Sequence, residues 1–154
     1  QELNIPSSDI AALVLGGHGD AMVPLPQYTT VKGKPIGELV SAEVLNNLIQ
    51  RTRDGGAEIV KYLKTGSAYY APSSGAVEMA EAVLKDTKAV IPSSVYLTGQ
   101  YGLRDVYIGV PAKLGRSGVL EVVELALTPD QTAALQQSAK IVQDNFAEAL
   151  KLLA

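Results

Sequence analysis

At 154 residues the chain is the size of one ordinary domain, long enough to bury a core without disulfide or metal staples. Hydrophobic residues at 47 % and charged residues at 19 % argue against disorder, and a net charge of −3 gives no basic footprint for nucleic acid or an anionic membrane. The absence of cysteine excludes disulfides, thiolate metal sites and a cysteine nucleophile; it suits a reducing compartment, and a cytoplasmic location is expected.

The chain opens Gln1-Glu2-Leu3-Asn4, which is no signal peptide and carries no methionine, so we expect it to begin inside a longer protein. No stretch approaches the roughly 20 apolar residues needed to span a bilayer. Ile10 to Leu15, apolar and rich in branched residues, reads as one buried strand. After Pro24 and Pro26, Tyr28 to Val31 reads as extended, closed by a turn at Lys32-Gly33-Lys34-Pro35. Apolar residues at helical spacing then run from about Glu43 to Leu63, interrupted by charges at Arg51 to Asp54. Gly55-Gly56 in the middle costs about 1 kcal/mol per glycine against alanine and predicts a kink or a close backbone approach.

Thr65-Gly66-Ser67 ends that helix, and a second is predicted from about Ala68 to Lys85 with Pro72 in its first turn, where a missing N–H costs nothing. From Ala89 the period changes to that of strands: Ala89 to Thr98, Asp105 to Leu114 and Val119 to Leu125, separated by glycine-bearing turns, predict an antiparallel meander. Thr128, Pro129, Asp130 and Gln131 form a capping box for a final helix. Its apolar face, Leu135, Val142, Phe146, Ala149 and Leu153, is expected to be core. The whole reads as one α+β domain without internal repeats, mainly antiparallel strands packed on long helices.

There is no G-x-G-x-x-G, no Walker loop, no H-E-x-x-H, no histidine pair for a metal and no G-x-S-x-G elbow. No metal site is expected. What remains is His18, the only histidine, in Leu15-Gly16-Gly17-His18-Gly19-Asp20. A loop of small residues at the end of a strand is where a proton-transfer group is held against a ligand, and a free imidazole titrates near ~6.5. The glycines are equally suited to a plain turn, with Asp20 as a turn-capping residue.

The run Gly16 to Leu25 (Gly-Gly-His-Gly-Asp-Ala-Met-Val-Pro-Leu) resembles the active-site loop of the lactate/malate dehydrogenase family, and within it the malate dehydrogenases built like lactate dehydrogenases. Lys64-Thr65-Gly66-Ser67-Ala68-Tyr69-Tyr70-Ala71-Pro72 resembles that family's substrate-side loop and helix start. Tyr96-Leu97-Thr98-Gly99-Gln100-Tyr101-Gly102 and Tyr107-Ile108-Gly109-Val110-Pro111 resemble its C-terminal hairpin. The likeness covers nearly the whole chain.

The resemblance implies the C-terminal catalytic and substrate-binding domain over residues 1–154, with an NAD-binding Rossmann half, a mobile substrate-selecting loop, and the aspartate and arginine of the site all upstream of Gln1. It implies reversible oxidation of malate to oxaloacetate in the tricarboxylic acid cycle, with NAD as cofactor and His18 as proton acceptor and donor. It places Ser67 and Ala68 where the substrate pocket closes and Pro72 where a helix side approaches the nicotinamide. By residue type alone these three are a polar cap, a small residue and a first-turn proline; Tyr69 and Tyr70 read as packing residues. The partners implied are a small-molecule substrate, the chain's own N-terminal domain and further copies in a homo-oligomer, with no nucleic acid and no membrane. Two other readings stay open: lactate or another 2-hydroxy acid as substrate, since the selecting loop is absent, or a stand-alone non-catalytic fragment acting as an interaction or oligomerisation unit.

Overall fold

A computed structural model describes residues 3–153. Eight strands and three α-helices follow one another: β1 (Ile10–Ala11), β2 (Val14–Gly16), β3 (Met22–Pro24), β4 (Thr30–Val31), β5 (Lys34–Pro35), α1 (Ala42–Leu63), α2 (Tyr70–Leu84), β6 (Val90–Thr98), β7 (Arg104–Gly115), β8 (Gly118–Val122) and α3 (Pro129–Leu153). Every strand pairing is antiparallel. The α+β class is therefore as expected.

The predicted strand over Ile10 to Leu15 is two strands in two sheets. β1 pairs with β4 in a small three-stranded sheet, whereas β2 pairs with β3 and β7 in the five-stranded one. A six-residue apolar run does not reveal a change of partner within it. Tyr28, read as extended, lies in a 3₁₀ turn with Pro26 and Gln27. β4 and β5 are joined by Lys32 and Gly33, whose φ values of 49° and 78° are both positive, as a type I′ hairpin turn requires.

The main sheet is organised on β7, the longest strand. β6 lies along one edge, in register from Val90↔Lys113 to Thr98↔Arg104; β2 and β8 share the other edge, at Gly109 and from Ala112 to Gly115. β6 alternates strictly, its inward residues Ile91, Ser93, Val95 and Leu97 meeting Val106, Ile108, Val110 and Ala112 of β7 in the core. Leu15, Val23 and Leu25 from the first hairpin, Ala82 from α2, Leu114 from the end of β7 and Leu135 and Ala139 from α3 complete that core.

The helices contribute unequally. α3 has its predicted capping box: Gln131 N donates to Thr128 Oγ1 at 3.3 Å and Thr128 N donates to Gln131 Oε1 at 3.1 Å. Its buried residues are confined to Leu135, Ser138 and Ala139. Phe146 and Leu153, expected in the core, are 65 % and 83 % exposed. At 1.5 Å per residue a 25-residue helix is about 37 Å long, and its last turns overhang the sheet. α1 runs through Gly55-Gly56 unbroken and has no fully buried residue; α2 buries only Ala82.

The turn between β6 and β7 is tied to the segment after β8 by Tyr101 and Glu124, whose carboxylate accepts from Tyr101 N at 2.6 Å. Tyr101, with φ at 53°, donates its hydroxyl to the Val123 carbonyl and accepts from the Leu125 N–H, both at 3.0 Å, so the irregular segment after β8 is held across the hairpin end. Burial raises its phenol above the ordinary 10.0, and Glu124 adds to the rise while the Leu125 N–H opposes it. Tyr101→Phe is expected to cost about 1–2 kcal/mol at neutral pH. A phenol raised in the folded state stabilises fully below its unfolded value and loses that contribution as pH climbs through its folded value. The gap between wild type and Tyr101→Phe should thus narrow above pH 10.0, as urea denaturation of both chains from neutral to strongly alkaline pH would show.

Candidate active site

His18 sits at the apex of the β2–β3 hairpin. β2 ends at Gly16, where φ of 86° turns the chain; His18 follows in extended conformation, and Gly19–Ala21 forms a 3₁₀ turn that returns it to β3. Glycine is required at the first of these positions. A Cβ on Gly16 would lie 2.6 Å from the Ala21 carbonyl oxygen and 2.8 Å from Ser138 Oγ. The loop is closed by Gly17 N donating to the Ala21 carbonyl at 3.2 Å and to Ser138 Oγ at 2.8 Å, while the Ser138 hydroxyl donates to the Ala21 carbonyl at 2.8 Å.

The imidazole itself is exposed and makes no hydrogen bond or ion pair among the described residues. Its Cε1 edge rests on α1, 3.5 Å from where a Cβ of Gly56 would be. A Cβ at Gly56 would make ordinary van der Waals contact with the ring, so neither the expected kink nor an approach that demands glycine is found at Gly55-Gly56. The Nε of Arg53, one turn earlier on α1, is buried without an acceptor among the described residues. Asp20 is exposed and its carboxylate meets no hydrogen-bond donor, so it neither orients His18 nor caps the turn through its side chain.

Ser67 and Ala68 lie in the segment joining α1 to α2, the first exposed and the second half-buried; Pro72 is exposed in the first turn of α2. Neither hydrogen bonds nor ion pairs join these three to His18. Tyr69 and Tyr70, read as packing residues, are 56 % and 79 % exposed and stack on each other with ring centroids 5.1 Å apart. The core they would pack on is not beneath them, because α2 turns only Ala82 fully inward.

Ser138 was not singled out from sequence. The signal was there: a serine falls between Leu135 and Val142 on the stripe that faces the sheet, where a buried hydroxyl needs partners.

Taken together, the site is an exposed imidazole on a clamped strand-end loop, carried by an antiparallel sheet that α3 backs. The chain belongs to the lactate/malate dehydrogenase family, matching its alpha/beta C-terminal domain over residues 1–153. It is 51 % identical over 154 residues to a malate dehydrogenase of Chlorobium phaeobacteroides, covering 100 % of this chain and 50 % of that protein. Among solved structures, the malate dehydrogenase of Salinibacter ruber superposes with a TM-score of 0.94 at 47 % identity, over 98 % of this chain and 49 % of that one. The lactate dehydrogenase of Cryptosporidium parvum, solved with lactic acid and nicotinamide adenine dinucleotide, gives 0.88 at 40 % identity over 94 % and 47 %. The chain thus spans about half the length of the relatives it matches.

The geometry around the loop separates two glycines by their surroundings. Gly16→Ala should destabilise by about 2–4 kcal/mol, through a disfavoured φ and overlap with backbone. Gly55→Ala, with nothing within 4 Å of its Cβ position, should stabilise α1 by about 1 kcal/mol. Equilibrium urea denaturation of the two variants would read both values.

Proposed function

We infer that this domain is the substrate-side half of an NAD-dependent malate dehydrogenase of the cytoplasm, with His18 as its acid/base group. The observation that carries this reading is the His18 imidazole, exposed and free of hydrogen bonds on a loop whose backbone is clamped on both sides. A histidine packed for structure would have its ring nitrogens satisfied; one left open on a rigid support is poised to exchange a proton with a ligand. The identity of 51 % to a malate dehydrogenase along the whole chain supports the substrate.

Neutral His18 accepts the proton of the 2-hydroxyl of malate at a ring nitrogen, and protonated His18 returns it to the carbonyl oxygen of oxaloacetate in reverse. Acid/base groups of this kind contribute roughly 10²–10⁴-fold in rate. When NAD is bound, its contribution is to accept the hydride from the carbon that bears the hydroxyl. Pro72 is exposed and has no N–H to donate, so it fits an apolar contact with a ring and nothing more. The described strands pair only antiparallel, which leaves no crevice of the kind that holds dinucleotide phosphates. We therefore assign the body of the cofactor, the substrate-binding arginines and the carboxylate that orients His18 to an upstream half, for which relatives of about twice this length leave room. Ser67 and Ala68, small and on the connection after α1, are assigned to the wall of the substrate pocket.

Lactate as substrate has one observation in its favour: the Cryptosporidium parvum lactate dehydrogenase shares this fold at a TM-score of 0.88. The half described here does not by its fold distinguish the two acids. On the inferred reading, the isolated chain shows no NAD-dependent oxidation of malate, the same domain joined to its dinucleotide-binding half is active, and His18→Asn in that longer protein lowers the rate by about 10²-fold or more. Steady-state assays with malate and lactate on the three proteins decide it. Turnover by the isolated chain, or wild-type rates in His18→Asn, would sink the assignment, and faster turnover of lactate would move the substrate.

The faces that α1, α2 and α3 leave uncovered support association. Tyr62, Tyr70, Leu84 and Leu152 are each more than three-quarters exposed, at 77 %, 79 %, 76 % and 84 %, far beyond what scattered surface residues require. We assign these faces to the domain's own upstream half and to further copies in a homo-oligomer. Light scattering at micromolar concentration should report a mass above that of one 154-residue chain; a monomer throughout would count against it.

A further inference from the structure

The two stems of the loop that carries His18 are both hydrogen-bonded to one hydroxyl from a distant part of the chain. Ser138 lies on α3, 2 % exposed, within the stripe Leu135, Ser138, Ala139 that faces the sheet. Its Oγ accepts from Gly17 N at 2.8 Å and donates to the Ala21 carbonyl at 2.8 Å. Those two residues flank His18-Gly19-Asp20, one on each side. A serine hydroxyl has one proton to give and lone pairs to receive with, and both capacities are used here on the two stems of the same loop. The fit is close: a Cβ on Gly16 would stand 2.8 Å from this oxygen and one on Gly17 3.5 Å from it. The loop's glycines are what let the hydroxyl enter between the stems.

We propose that Ser138 is a positioning residue for His18, pinning both stems of the histidine loop to α3 so that the imidazole is presented at a fixed place; the proposal rests on His18 as the acid/base group. The argument turns on what would be left without the hydroxyl. Gly17 N and the Ala21 carbonyl still face each other at 3.2 Å, so the hairpin stays closed. What is lost is its attachment to α3, and with it the fixed distance between the imidazole and anything bound beyond it. Acid/base catalysis is sensitive to displacements of that kind, because a misplacement of about 1 Å can cost up to 10²-fold in rate while ground-state binding is little changed.

The test is a double-mutant cycle in the domain joined to its dinucleotide-binding half. Ser138→Ala is expected to lower kcat about tenfold with KM within about twofold, and to lower Tm by only about 2–4 °C. In a His18→Asn background the same Ser138→Ala change should alter kcat less than twofold, since the group it positions is already gone. A merely structural serine would reduce the active fraction equally in both backgrounds. Ser138→Cys keeps the side chain's shape on a larger atom that is a weaker donor and acceptor, and should fall between wild type and Ser138→Ala; it carries the same comparison if the alanine variant does not fold. Equal losses in both backgrounds, an effect on KM alone, or unchanged kcat in a folded variant would overturn the positioning role while leaving His18 in place. Wild-type rates in His18→Asn by itself would instead remove the acid/base reading, and this proposal with it. A second readout needs no turnover: with one histidine in the chain, the imidazole proton signals of the isolated domain should shift or broaden in Ser138→Ala, and identical signals would argue against the proposal.

Discussion

β2 and β7 approach each other at a pair of glycines, and the arrangement of the domain depends on that approach. Gly16 opposes Gly109 in the only register pair among the described residues that joins the first hairpin to the long strand. A Cβ on Gly109 would lie 2.6 Å from the Gly16 carbonyl oxygen, well inside contact distance, so neither backbone could reach the other through a side chain. Because this contact is made where β2 ends, it also fixes where the histidine loop begins. The loop is thus referred to the sheet through Gly16 and to α3 through Ser138, two supports separated by most of the chain. The imidazole gains its rigidity from its neighbours' backbones and none from bonds of its own.

The burial pattern divides the molecule into a finished part and an open part. The β6–β7 hairpin, the first hairpin and the first three turns of α3 enclose a continuous apolar core. α1, α2 and the last turns of α3 turn large side chains outward, among them Leu63, Val77 and Leu150. In a chain of this length the core is enough to hold the sheet, and the outward residues are surplus to it.

The parts of this fold that were legible in sequence are those specified by local chemistry. Thr128, Pro129 and Gln131 announce the start of α3 because a cap is made by residues three apart. β6 to β8 announce themselves by strand-period runs between glycine-bearing turns, although the last of them ends at Val122 and not at Leu125. His18 stood out for the same reason, a lone imidazole among glycines. What was hidden depends on partners distant in the chain. The division of Ile10 to Leu15 between two sheets is set by Val31 and Pro24, which no local pattern names. The apolar stripe on α3 runs from Leu135 to Leu153, yet only Leu135, Ser138 and Ala139 are fully buried and Leu150, Leu152 and Leu153 are exposed. Gly56 lies beneath the imidazole and Ser138 between the loop stems only because tertiary packing brings α1 and α3 to the same hairpin.

The bareness of α1 bears on how the domain opens. Its 22 residues are held by their own backbone hydrogen bonds, the Ser41 cap and one flank of partly buried side chains, with none fully enclosed. β6 and β7 are held by a ladder over a sealed core. Amide protons in the two should therefore leave for solvent by different routes, those of α1 through cheap local detachment and those of the hairpin only when the whole domain unfolds. The same helix bears the glycine on which the imidazole rests, so the floor of the site belongs to the most readily released layer of the molecule. Exchange at Gly56 should therefore outpace exchange along β6 and β7.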